Sequence, residues 1–183
     1  VFILISFAGG VTTAQTLDPA RDFLFIGIDP KTVNGGRNAD IYLIRSDGSR
    51  VTNLTNTEFD SENHAYWSAD STKIYFSRNS MAVYPGSTEE QSSTSFYVMD
   101  ISDEGKNAGE RRLFHLNDVM GIPMRVEDWV LSPDDRTLVF IPNNESLAGT
   151  ILVNADGTNQ REVLAKGLAT TSVPLQWSPD STE

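Results

Sequence analysis

Asp40-Ile41-Tyr42-Leu43-Ile44-Arg45-Ser46-Asp47-Gly48, running on to Trp67-Ser68-Ala69-Asp70-Ser71, is the stretch that decides the fold. It returns near the end of the chain as Ile151-Leu152-Val153-Asn154-Ala155-Asp156-Gly157, followed by Trp177-Ser178-Pro179-Asp180-Ser181. Asp47 and Ser68 are 21 residues apart, and Asp156 and Ser178 are 22. Between them lies a degenerate copy, Phe96-Tyr97-Val98-Met99-Asp100 with a lengthened turn at Ser102-Asp103-Glu104-Gly105 and a corner at Ser132-Pro133-Asp134-Asp135. An apolar strand, a tight turn and a Ser-Pro-Asp corner, repeated at roughly 40-residue spacing, are the pattern of propeller blades.

Each part of the cassette has a local reason. Gly in Asp-Gly supplies the positive φ of a two-residue hairpin, and Asp bonds its own backbone there. Ser-Pro-Asp suits a type I turn, because Pro presets φ at its second position. Ala69 replaces that Pro in the first copy, which removes rigidity and keeps the geometry. Strands are expected at residues 41–45, 50–54, 64–68 and 73–78 in the first copy, with an earlier strand at 23–28. In the second copy they fall at 96–100, 111–116, 128–131 and 137–141. Residues 79–95, rich in Ser, Thr and Glu with Pro85, read as an exposed insertion. The expectation is therefore an all-β chain of four-stranded antiparallel blades at about 40–79, 95–142 and 150–183. The last of these is incomplete, and Trp67, Leu131 and Trp177 are expected between blades. Two full blades and a partial third make an open propeller fragment, since closed rings use about four to eight.

The charge balance bounds the partners. Against 14 Lys and Arg stand 25 Asp and Glu, a formal net charge of −11. That argues against a nucleic-acid backbone or an anionic membrane surface as the main partner. Cysteine is absent, so there is no disulfide framework and no thiolate metal site. The apolar run over residues 1–11 and the small residues Thr12-Thr13-Ala14 resemble the end of a secretory signal cut before Gln15. It is too short to span a bilayer. Residues 1–14 are thus expected to be a truncated signal peptide, residues 15–183 the propeller fragment, and the location periplasmic or secreted.

The cassette resembles the WD40-like (PD40) repeat of the TolB-like β-propellers. The residues that carry the resemblance are Asp47-Gly48, Leu54-Thr55, Trp67-Ser68 and Asp70, then Leu113 and Ser132-Pro133-Asp134, then Asp156-Gly157, Leu164 and Trp177-Ser178-Pro179-Asp180. The family usually has Gly after the corner Asp; Ser71, Asp135 and Ser181 stand there here, and Leu131 replaces the Trp of the second copy. The resemblance implies a fold and little chemistry, because the same repeat occurs in TolB, in the propellers of prolyl-oligopeptidase-like peptidases and in envelope proteins without assigned activity.

No residue is assigned a catalytic, cofactor or metal role. His64 and His115 are the only histidines, and no cysteine accompanies them. The acidic pairs Asp134–Asp135, Glu89–Glu90 and Asp60–Glu62 suit turns better than the spaced carboxylates of glycoside chemistry. The loop from Asn154 to Thr158 fails as an EF-hand, with Leu152 and Val163 at ligand positions. No G-x-S-x-G, P-loop or G-x-G-x-x-G occurs. Asn53-Leu54-Thr55 and Asn144-Glu145-Ser146 match the glycosylation sequon. The expected role is a non-catalytic platform binding a protein or small ligand through loops 79–95 and 117–125. The alternative is the propeller of a larger enzyme, either a peptidase or a propeller lyase or glycosidase, whose catalytic part lies outside this stretch.

Overall fold

The computed structural model describes residues 22–28, 38–83, 88–143, 149–164 and 175–179. Among them the chain is nearly all β, in three antiparallel sheets. The first contains β1 (Phe23–Ile28), β2 (Ala39–Ile44) and β3 (Val51–Asn53), in that order. The second runs β4 (Ser61–Trp67), β5 (Lys73–Val83), β6 (Glu90–Ile101) and β7 (Asn107–His115). After a five-residue helix α1 (Leu116–Met120), the third takes β8 (Val126–Leu131), β9 (Thr137–Pro142), β10 (Thr150–Asn154) and β11 (Arg161–Leu164). These sheets form an open series of propeller blades and close no barrel.

The sheets are phased differently from the cassette. The stretch 40–79 was expected to be one blade, yet β2 and β3 finish the first sheet and β4 and β5 begin the second. The reason lies in the connection between β3 and β4. Asn53 Oδ1 accepts from the N–H groups of Thr55 and Asn56, at 3.1 and 3.0 Å, and Asn56 takes a φ of 49°. Buried Asp40 then holds the chain, its Oδ1 accepting from Thr57 N at 2.9 Å and from Thr55 Oγ1 at 3.1 Å. With its polar groups engaged in this way, the connection crosses to the next sheet instead of folding back as a hairpin. Asn53 also donates from Nδ2 to Asp40 Oδ2 at 2.8 Å, so the first sequon's amide is committed to the fold. The second sequon, Asn144, lies outside the described residues.

The two fully described corners are nearly the same object. Ser68 N donates to Lys73 O at 2.9 Å and Ser132 N to Thr137 O at 2.8 Å. Each Ser hydroxyl donates to the corner Asp, Ser68 to Asp70 at 2.7 Å and Ser132 to Asp134 at 2.6 Å, and accepts from the N–H five residues on. Ser71 and Asp135 follow at φ 59° and 61°, the left-handed conformation for which the family's glycine is suited.

Two apolar cores lie between the sheets. Ile41, Leu43, Leu54, Ile74, Phe76 and Met99 join the first to the second. Phe96, Phe114, Leu116, Trp129, Leu138, Phe140, Ile151 and Val153 lead the core between the second and third. Trp67 and Leu131 both pack against these cores, but only in part, and Trp177 is likewise half-buried. The indole that is wholly buried is Trp129, which the cassette does not mark. Counting back from the corner serines, Leu131 and Trp129 match Trp67 and Ala65, so large and small residues have exchanged places along one strand face.

Candidate functional site

Among the described residues, antiparallel pairing puts the corners after β4 and β8 and the tight turns after β2, β6 and β10 at one end of the sheets, and the β3–β4 and β7–β8 connections at the other. Contacts across the sheets fix this common orientation: Ala69 N meets the Asp135 carboxylate, and Arg50 Nη1 donates to Glu104 O at 3.1 Å. The two ends differ in chemistry. At the corner end several carboxylates are spent on turns. Asp70 accepts from Ser68 Oγ, from Thr72 N and from Thr72 Oγ1, which together hold its pKa down at about 2. Asp47 and Asp156 are lowered in the same manner by Ser49 and Thr158. Asp156 thus closes its own turn.

The opposite end was expected to carry loop 79–95, and that expectation is corrected. Strands β5 and β6 continue through it as a ladder pairing Asn79 with Thr94, Ser80 with Ser93, Met81 with Ser92, Ala82 with Gln91 and Val83 with Glu90. Polarity misled because Asn79, Ser93, Thr94 and Ser95 are buried with partners in hand. Thr94 Oγ1 lies 2.6 Å from the Asn79 amide and accepts from Val126 N at 3.1 Å, while Thr94 N donates to Met124 O at 2.9 Å. With the Asn79 amide turned to donate to Thr94, its oxygen meets Asn63 Nδ2 at 2.8 Å and Arg125 Nη2 at 2.9 Å. The second expected loop, 117–125, holds most of α1, and the connection is anchored by buried Leu116 and Met124.

Several large apolar side chains are exposed at this end, among them Ile28 and Val163 at the strand ends and three in or beside the connections. Phe59 is 75 % exposed in the β3–β4 connection, Met81 is 56 % exposed on β5, and Ile122 is 40 % exposed after α1. Glu58, Glu89, Glu90 and Asp118 are exposed around them.

The first two strands of the second and third sheets meet beneath this end. His64, the bulged residue of β4 with φ 46°, places Nε2 3.3 Å from Asp128 Oδ1 on β8. Its Nδ1 is buried without a partner among the described residues. On the side of the second sheet that faces the first, Arg78 joins Glu62 (Nε to Oε1, 2.6 Å) and Glu110 (Nη1 to Oε1, 2.8 Å) and lies 4.6 Å from the Tyr97 ring centroid. Burial works against the Arg78 charge, yet Glu110 and Glu62 outweigh it and hold its pKa above the ordinary value. Burial raises that of Glu62, with Arg78 pulling the other way. Sequence reasoning missed Arg78 and Asp128, and it placed Glu62 in a turn, whereas Glu62 is fully buried on β4 and paired with Arg78.

The structure does not gather the candidate residues into a reaction centre. His115 sits at the end of β7 near Ser93 Oγ (3.5 Å), its pKa lowered by burial. Asp134 closes a corner, Glu89 and Glu90 stand at the hairpin, and Glu62 is bound to Arg78. Among the described residues no three His, Asp or Glu side chains converge as metal ligands would.

No protein-family model and no curated protein matches the chain. Solved structures do match. A TolB of Agrobacterium tumefaciens superposes with a TM-score of 0.53 at 19% identity, over 79% of this chain and 46% of that one. A TolB from Acinetobacter baumannii gives 0.52 at 12%, over 79% and 31%. The chain resembles the TolB-like β-propellers. An oligogalacturonate lyase in complex with manganese matches with a TM-score of 0.56 at 16% identity, over 92% of this chain and 42% of the lyase. At such identities the likeness establishes the propeller fold alone, and the chain spans less than half the length of each of these proteins. No helix among the described residues is long and apolar enough to cross a membrane.

Proposed function

We propose that this propeller domain is a non-catalytic platform of a secreted or periplasmic protein, and that it binds a protein partner through the end opposite the corners. The observation that carries the reading is the exposure of Phe59, Met81 and Ile122 at that end, set among acidic groups. Apolar anchors rimmed by charge suit a protein interface. The acid favours a partner surface with basic character. At the corner end the carboxylates of Asp47, Asp70, Asp134 and Asp156 are committed to turns, and the exposed Phe23 and Val51 there lie on the first sheet beside its turn.

Site-specific photo-crosslinking tests this. A photoreactive residue at Ile122 or Phe59 is expected to capture a defined partner, and one at Ser46 on the corner end to capture none. Equal capture at both ends would defeat the reading. Export is tested separately: secreted material should begin near Gln15, and retention of Val1 would refute a signal at residues 1–14.

A second reading makes the domain part of an enzyme, and what favours it is the strained backbone at His64 beside Asp128. The lyase neighbour is in complex with manganese, but the described residues here do not fit such an ion. Turnover of an oligogalacturonate by a longer protein that contains this domain, lost on His64→Ala, would favour this reading over the platform.

A further inference from the structure

Two departures from the repeat meet in space. At the second position of the corner turn the other copies have Pro133 and Pro179, and the first has Ala69. After the corner Asp, where the other copies have Ser71 and Ser181, the middle one has Asp135. The Ala69 N–H donates to both carboxylate oxygens of Asp135, at 3.1 Å to Oδ1 and 2.9 Å to Oδ2.

The corner itself requires neither residue. Its turn is closed by Ser71 N on Ser68 O in one sheet and by Asp135 N on Ser132 O in the other, at 2.9 and 3.0 Å. The second corner makes the same turn with Pro133 in place of Ala69, so proline fits that backbone. The N–H at this turn position is not used by the turn and is free to reach outward. Proline would remove it, and serine or glycine at 135 would leave it without this acceptor. Asp135 reaches Ala69 from a left-handed backbone, φ 61°, with the charges of Asp70 and Asp134 nearby. Each departure is locally unfavourable, and each supplies what the other lacks.

We infer that Ala69 and Asp135 form a matched clasp that ties the corners of two successive blades and fixes their spacing at that end, independently of the apolar core between them. The clasp is a conformational device of this chain and goes beyond the proposed binding role.

The test is a double-mutant cycle on the full chain with Ala69→Pro, Asp135→Gly and both together, followed by thermal unfolding. Ala69→Pro is expected to raise Tm when Asp135 is already Gly and to lower it when Asp135 is present. A difference of roughly 2 to 4 °C between backgrounds corresponds to one coupled hydrogen bond in a chain of this size. Amide exchange gives a second readout that needs no proline variant. In Asp135→Gly the exposed Ala69 amide should exchange about tenfold faster, with the Ser71 amide unchanged. Additive Tm shifts, or an Ala69 amide that exchanges at the same rate in both proteins, would overturn the clasp.

Discussion

Trp129→Phe is expected to cost about 2 kcal/mol, and the matching change at the repeat's own tryptophan, Trp67→Phe, less than half of that. Trp129 is completely buried between the second and third sheets. Its ring meets Phe96 edge-on (centroids 5.1 Å, 88°) and Tyr66 at 4.8 Å and 72°. Its Nε1 donates to Ser77 Oγ at 2.9 Å, and its carbonyl accepts the Tyr66 hydroxyl at 2.7 Å. Phenylalanine keeps the aromatic pairs and removes the N–H together with part of the ring. The lost hydrogen bond contributes about 1 kcal/mol, at the low end because Ser77 Oγ still donates to Asn63 O. The unfilled space adds about another 1 kcal/mol. Full truncation to Ala should cost roughly 3 to 5 kcal/mol. Trp67, by contrast, is half-buried and its Nε1 has no partner among the described residues, so Phe there gives up no hydrogen bond. At about 2 to 4 °C per kcal/mol for a chain of this length, thermal unfolding should separate the two variants by several degrees. Equal losses at the two positions would refute the assignment of Trp129 as the inter-blade anchor.

Four further outcomes follow from the same geometry. Ser71→Gly relieves a φ of 59° and should stabilise by about 1 kcal/mol, read as a rise in Tm; a fall would mean the serine side chain is needed. Gly157→Ala should cost well over the about 1 kcal/mol of Gly48→Ala, because a Cβ at 157 would lie 2.8 Å from Phe114 Cβ while one at 48 meets nothing within 4 Å; similar losses would refute that close approach. Asp70 has a folded pKa of about 2 against an ordinary 3.8, so its stabilisation is present above 3.8 and lost as pH falls through about 2, whereas Glu62 is raised above 4.5, so its contribution is present below 4.5 and lost as pH rises through the folded value. Asp70→Asn should flatten the acid limb of a stability–pH profile and Glu62→Gln the decline above 4.5, and unchanged slopes would sink the assignment. Phe23→Ser with Val51→Thr should lower any self-association seen by sedimentation, because these side chains, 51 % and 56 % exposed, share the outer face of the first sheet with Tyr42 and Ile44; undiminished association would place the contact elsewhere.

How much of this was visible in the sequence depends on the distance over which each feature is decided. Corners and tight turns are settled within about five residues, by Ser68 with Asp70 or Asp156 with Thr158, and they form where the sequence puts them. The assignment of strands to sheets is settled by bonds such as Thr57 to Asp40, 17 residues apart, and the cassette was accordingly cut in the wrong place. The ladder over Asn79 and Thr94 looked like a loop because its polar groups find partners in Asn63, Arg125 and Val126, which no composition window contains. The buried Trp129 was missed for a different reason. The motif is defined at the corner, and an indole displaced by two residues keeps the same strand face while leaving the motif. Alternation counted back from Ser132 would have found it.

The division of labour between the two ends of the sheets follows from where the backbone is over-determined. At the corner end the Ser hydroxyl, Asp carboxylate and backbone N–H groups lock each turn, leaving little freedom for its side chains to adapt to a partner. Only the residues outside that lock, Ala69 and Asp135, are free to differ between copies, and they are spent on each other. At the opposite end the described elements differ in length and chemistry: a crossing held by Asp40, the β5–β6 ladder carried past the sheet, and a short helix seated on Leu116. Their anchors are buried, whereas Phe59, Met81 and Ile122 are exposed. A scaffold that is rigid beneath and variable above can change what it binds without changing its fold. If the domain is the platform proposed above, recognition would fall to the varied end, and substitutions at the corner end should alter stability before they alter binding.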